Sequence, residues 1–114
     1  MSEHIHFKAR EMQFSAYGGE VQSKAAICRL VGTDESKTMG AGVACFDDAF
    51  ISWTVLYDEL IVVLEGEFVL TVGNETINAK AGDVIWIPEK SPVVYSGKKA
   101  KVFYALYPVN WNNS

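Results

Sequence analysis

Little of the usual catalytic chemistry is available to this chain. Its 114 residues include two histidines, His4 and His6, and two cysteines, Cys28 and Cys45. A transition metal needs three or four N, O or S donors at about 2.0–2.3 Å, so this count excludes nearly every histidine-built centre. No serine or cysteine stands in a motif with a histidine, so an activated nucleophile is not expected. The glycine loop of a Walker motif and a Gly-x-Gly-x-x-Gly turn are both missing. Carboxylates and phenols remain. Glu59 heads the aliphatic run Leu60–Leu64, with Tyr57 just before it and Tyr95, Tyr104 and Tyr107 downstream. Carboxyl and phenol together serve general acid–base chemistry or the hydrogen-bonded recognition of a ligand.

The other polar groups read as surface. His4 and His6 share a face only if their segment is extended, and they are expected on an exposed arm. Glu65 and Glu67 flank Gly66 at a bend, and Lys98, Lys99 and Lys101 cluster at a hairpin end; both sets should be solvated. Asp58 should face solvent or cap a turn. The polar stretch from Gly32 to Gly40 is expected to be a solvated loop rather than a substrate lid.

Fourteen acidic residues against ten basic give a net charge of −4, which argues against nucleic acid or an anionic membrane as partner. No charge-free run approaches the roughly 20 residues that span a bilayer. The start, Met1-Ser2-Glu3-His4, lacks the basic and then apolar order of a signal peptide. A cytoplasmic protein with reduced, buried thiols at Cys28 and Cys45 is therefore expected. With 49% apolar and 21% charged residues, the chain has the material for one folded domain.

That domain reads as all-β. Short β-type runs cover Lys24–Val31, Val43–Phe46, Phe50–Leu56, Leu60–Leu64, Glu67–Val72, Glu75–Ala79, Val84–Ile87, Val93–Ser96 and Lys101–Tyr107. Turn residues fill nearly every gap, which is the pattern of a sandwich or barrel. Gly73-Asn74 predicts a two-residue hairpin, and Ala81-Gly82-Asp83 and Gly97-Lys98 predict further turns. No segment carries an apolar helical stripe over three turns. Pro108 should stop the last strand, and Trp111 should pack back on the barrel. The run Leu60–Leu64 is apolar at both parities, so both faces of that strand should be covered. One face has the core. The other needs a partner, and a homodimer through the outer sheet face is expected.

Two spaced stretches carry a resemblance. The first is Asp58-Glu59-Leu60-Ile61-Val62-Val63-Leu64-Glu65-Gly66, and the second is Gly82-Asp83-Val84-Ile85-Trp86-Ile87-Pro88. In order, and with the hairpin between them, they resemble the paired motifs of the cupin superfamily, a double-stranded jelly-roll barrel of the RmlC-like type. The match spans about Lys24–Trp111. It implies an N-terminal arm and first strands over 1–23, a barrel over 24–111 and a tail over 112–114. Metal-binding cupins place histidines where this chain has Trp53, Val55 and Val93. Only Glu59 of the four-ligand set survives, so no metal and no other cofactor is expected. Lys90 stands where the second motif normally has glycine, and Val94 where a polar residue can stand.

Ser52-Trp53-Thr54-Val55-Leu56-Tyr57-Asp58-Glu59, Val63-Leu64-Glu65-Gly66-Glu67, Ala79-Lys80-Ala81-Gly82-Asp83-Val84 and the ending Tyr107-Pro108-Val109-Asn110-Trp111 are similar to ethanolamine-utilisation cupins of the EutQ type. The resemblance implies a cytoplasmic, dimeric barrel without the usual metal, acting in ethanolamine breakdown beside bacterial microcompartments. An acetate kinase activity is attributed to the type. The extension that precedes the barrel in those proteins has no counterpart in these residues.

On the jelly-roll analogy, Trp53 and Val55 point inward, as do Glu59, Ile61 and Val63, and Val93 with Tyr95. The expected ligand wall is Trp53, Val55, Glu59, Val93, Tyr95 and Tyr104. Glu59 and Tyr57 are the candidate catalytic pair. A carboxyl in such a cavity is raised in pKa by desolvation and becomes a general acid or base near neutrality. The leading expectation is a metal-independent cupin holding a small organic metabolite. The alternatives are a Glu/Tyr acid–base enzyme of isomerase, lyase or cyclase type, and a non-catalytic accessory protein of a catabolic operon or microcompartment.

Overall fold

In the computed structural model of the chain, which describes residues 3–112, nearly all regular structure is strand. Eight strands follow in order: β1 (Ser15–Ala16), β2 (Ala25–Val31), β3 (Gly40–Phe46), β4 (Ile51–Thr54), β5 (Asp58–Val72), β6 (Glu75–Lys80), β7 (Val84–Ile87) and β8 (Pro92–Tyr107). One 3-10 turn, Ala9–Glu11, is the helical content among the described residues. None of them belongs to a helix long and apolar enough to cross a membrane. Met1, Ser2, Asn113 and Ser114 lie outside the description, and with them the start of the expected arm and the end of the expected tail.

Two long strands organise the fold. β5 and β8 pair antiparallel from Asp58 opposite Tyr107 to Val72 opposite Val93. The sequence reading divides each of them in two and puts a turn at Gly97-Lys98. The structure corrects this, because both residues lie inside β8. The break is a shared bend. The register shifts around Glu65, opposite Lys101, and Gly66 and Lys99 take left-handed φ values of 69° and 49°. A Cβ on Gly66 would overlap the Lys99 carbonyl, so only glycine fits there. Such bulges turn a strand without ending its ladder.

The bend creates two layers. On one side, β7 pairs with the first half of β5, which pairs with the second half of β8, followed by β3, β2 and β1. On the other side, β6 pairs with the second half of β5, and β4 with the first half of β8. The folded-over sheet is a cupin jelly roll. Phe46, Phe68 and Tyr95 join the layers, with ring centroids 5.5–6.0 Å apart.

Alternation decides which side chains enter the core. Ile61 and Val63 are 2% and 1% exposed, whereas Leu60 and Leu64, on the other parity, are 41% and 45% exposed in the single chain. Cys28 and Cys45 pair with Val43 and Ala26 on the outer parity, so they are free and half-buried rather than buried. The hairpin at Gly73-Asn74 forms as expected, closing Val72 onto Glu75. Asp58 caps a turn, accepting the Glu89 N–H at 2.9 Å. Lys90 adopts φ 74° at the place where the cupin motif has glycine. Most of the stretch from Gly32 to Gly40 is exposed or half-buried, and Thr38 O accepts the Val109 N–H at 2.7 Å. His4 and His6 are exposed.

Candidate functional site

A cavity of about 590 Å³ opens between the layers. Its space comes from β3, whose inward residues Gly40, Gly42 and Ala44 are small. A Cβ on Gly42 would lie 2.5 Å from Tyr104 Oη, so the missing side chain makes room for the phenol. Ile27, Phe46, Ile61, Phe68, Val102 and Leu106 form apolar walls. Exposed Gly18, Arg29, Thr33, Ser52 and Asn112 mark the mouth. Apolar walls with a few convergent polar groups are the general form of a small-molecule site.

Glu59 is the polar end of this space, 4% exposed, on the first half of β5. Tyr95 donates its hydroxyl to Glu59 Oε1 at 2.6 Å. Burial raises the Glu59 pKa to about 7, with the Tyr95 hydrogen bond pulling the other way. Desolvation thus outweighs a charge-favouring hydrogen bond. Near neutrality the carboxyl can hold or release a proton. Burial also pushes up the phenols: Tyr95 and Tyr57 well above the ordinary tyrosine range, with the Glu59 charge adding to both, and Tyr104 to about 12. They stay neutral and act as hydroxyl donors and acceptors.

Trp53, Tyr57 and Trp111 form an aromatic cluster on the lining. Their ring centroids stand 5.2–5.7 Å apart, each tilted or edge-on to the next. Rings this close pack on one another and leave no cage for a cation between them. The Trp53 indole N–H is turned toward the Tyr95 hydroxyl, whose pKa it lowers, yet it is buried without a well-formed hydrogen bond. A buried donor left unpaired costs about 1–3 kcal/mol. A ligand acceptor would satisfy it.

Of the residues expected at the site, Trp53, Tyr57, Glu59, Tyr95 and Tyr104 line this one cavity. Val55 and Val93, expected on the ligand wall, are buried in the core and do not line it. Val55 lies beyond β4, where its backbone bonds Ser91 O and the Lys90 N–H, so the alternation carrying Trp53 inward no longer applies. Tyr107 is 57% exposed and stays outside. Polar cavity residues that escaped the reading include Tyr17, Arg29, Thr33, Ser52 and Asn112. Arg29 was detectable, because it shares the parity of inward-facing Ala25 and Ile27.

Other cupins hold a metal in this barrel, but the donors here do not fit one. Glu59 is met by a phenol, the indole of Trp53 stands beside that phenol, and no three of His, Cys, Asp and Glu converge among the described residues. An indole N–H has no lone pair to give a metal.

The family model described as Ethanolamine utilisation protein EutQ matches residues 6–113. The chain belongs to the EutQ family. It is 34% identical over 103 residues to "Acetate kinase EutQ" of Escherichia coli (strain K12), covering 90% of this chain and 44% of that protein. It therefore spans about half the length of the curated EutQ relatives it matches. A solved structure of a putative ethanolamine utilization protein Q from Salmonella typhimurium LT2 superposes with a TM-score of 0.82 at 33% identity, over 90% of this chain and 85% of that one. An RmlC-like cupin from Shewanella frigidimarina shares the fold, with a TM-score of 0.76 at 18% identity over 99% of this chain and 97% of that one. The EutQ match covers Trp53, Tyr57, Glu59, Tyr95, Tyr104 and Trp111 alike.

Proposed function

We propose that this EutQ-family cupin binds a small organic metabolite in its barrel, in the cytoplasm, in the catabolism of ethanolamine or a related amine or acid. The supporting observation is the buried Glu59–Tyr95 pair at the polar end of an otherwise apolar cavity. Walls of Ile61, Val102 and Leu106 supply contact area, and Glu59 with Tyr57 and Tyr104 sets orientation. A fragment screen by protein NMR on untagged chain, repeated with Glu59→Gln, tests this. Hits that move the Trp53 indole and Ile61 methyl signals, and weaken in the variant, agree with it. A screen with no hit in the cavity overturns it.

A second reading rests on the Glu59 pKa of about 7. A carboxyl poised there can act as general acid or base on a bound substrate, with Tyr57 or Tyr95 completing the proton path. Glu59→Gln separates the readings: lost turnover with retained binding favours catalysis. The acetate kinase named for the curated relatives is not carried over to this chain. Arg29 is the one Lys or Arg lining the cavity among the described residues, thin support for a nucleotide triphosphate.

The outer face of the same sheet is proposed as a homodimer surface. Register places exposed Leu60 between Trp86 and Ala105, and Val62 between Val84 and Phe103. Trp86 and Val84 are each 59% exposed. Leu60, Val84 and Trp86 are thus exposed apolar side chains side by side on one outer face, the kind of patch that marks an interaction site. A second copy supplies the matching apolar face by two-fold symmetry.

A further inference from the structure

Arg29 is an exposed cation on the cavity-facing parity of its strand. It follows Ala25 and Ile27 on the inward parity of β2 and stands opposite Gly42, which in turn stands opposite Tyr104. Gly42 has no side chain, and the Tyr104 hydroxyl occupies the space its Cβ would take. Guanidinium and phenol are thus neighbours on the cavity wall. The Arg29 charge lowers the pKa of both Tyr104 and Tyr17, against the larger upward push of burial. Neither ion pair among the described residues involves Arg29. Among the described residues its charge therefore has no ion-pair partner.

The rest of the lining holds one donor-only group, the Trp53 N–H, among phenols and small polar side chains that both donate and accept. Beyond Arg29 lie the phenols and the unpartnered Trp53 N–H; the one carboxyl, Glu59, is buried and holds a proton for much of the time near neutrality. Both Arg29 and Glu59 act on Tyr17 and Tyr104, which places those phenols in the field of both charges. Apolar Ile61, Val102 and Leu106 share the cavity with them. A complementary molecule carries an anion at one end, hydrocarbon in the middle and a hydrogen-bonding oxygen at the other.

Resting on the small-molecule reading of the cavity, we propose that its ligand is an aliphatic hydroxy- or oxo-carboxylate. Arg29 binds the carboxylate at the mouth, and the distal oxygen meets the Trp53 N–H and the Glu59 carboxyl. A guanidinium takes a carboxylate through two parallel hydrogen bonds. A phosphate monoester is less well matched, since it brings nearly two charges to a site with one cation.

Four probes test the proposal by calorimetry and by the Trp53 indole and Ile61 methyl NMR signals: ω-hydroxyhexanoate, hexanoate, the terminal hexanediol and ω-aminohexanol. The hydroxy acid should bind about tenfold tighter than the diol or the amino alcohol. It should also bind more tightly than hexanoate. Arg29→Gln should remove that advantage and leave the diol unchanged, and Arg29→Lys should restore part of it. If the diol or amino alcohol moves the cavity signals as strongly as the acid, or Arg29→Gln leaves the acid's preference intact, the carboxylate proposal is wrong while the cavity reading stands. If no probe moves those signals, both fall.

Discussion

The hydrogen bond from Tyr95 Oη to Glu59 Oε1 spans the two layers of the barrel. Tyr95 lies on the half of β8 that pairs with β4, and Glu59 on the half of β5 that pairs with β7. Thirty-six residues apart in sequence, the two groups meet only because both long strands bend at Gly66 and Lys99. The bend that makes the jelly roll therefore also assembles the polar end of the cavity.

Stability should depend on pH through Glu59. Its pKa rises from 4.5 to about 7 on folding, so the folded chain binds the extra proton between those values. The contribution is fully present below about pH 4.5 and is lost as pH rises through about 7. The size is on the order of 3 kcal/mol. Urea unfolding across this range should show the decline in the wild type. Glu59→Gln, which keeps an acceptor for Tyr95, should flatten it.

Tyr95→Phe should raise the Glu59 pKa further, because the lost hydrogen bond favours the charged form. A carboxyl ¹³C titration of the variant checks this. An unchanged or lowered midpoint would contradict the hydrogen bond described here.

Lys90→Gly should stabilise the chain by about 1 kcal/mol, because a side chain at φ 74° carries strain that glycine does not. Thermal unfolding should show a rise of several degrees, about 4–8 °C for a domain of this size. Gly66→Ala should do the reverse and more, since the Lys99 carbonyl occupies its Cβ position.

Trp86→Glu should leave the fold intact, as the side chain is 59% exposed, and should break the proposed dimer. Sedimentation equilibrium should give twice the 12.6 kDa chain mass for wild type and the single mass for the variant. A monomeric wild type at micromolar concentration would refute the interface.

Much of this structure was legible beforehand. Alternation in Glu59-Leu60-Ile61-Val62-Val63 put the right residues inside, and Gly73-Asn74 gave its hairpin. Bends were harder. Gly66 and Gly97 carry the same turn chemistry as a true turn, and only the partner strand decides that the ladder continues. Val55 misled because the strand carrying Trp53 ends one residue earlier. Arg29 lies opposite Gly42 on the parity of Ala25 and Ile27 yet is exposed, and only the cavity beside it tells it from an ordinary surface charge. Tyr17 follows a two-residue strand, too short to show any period.

Titration of Glu59 itself is the decisive test of a ligand-binding cavity. In carboxyl ¹³C NMR the free protein should show a midpoint near 7, and a fragment bound in the cavity should displace it by about one unit or more. A midpoint near the ordinary glutamate value of about 4.3, unmoved by any fragment, would mean that Glu59 neither lies desolvated at the end of a cavity nor meets a ligand there.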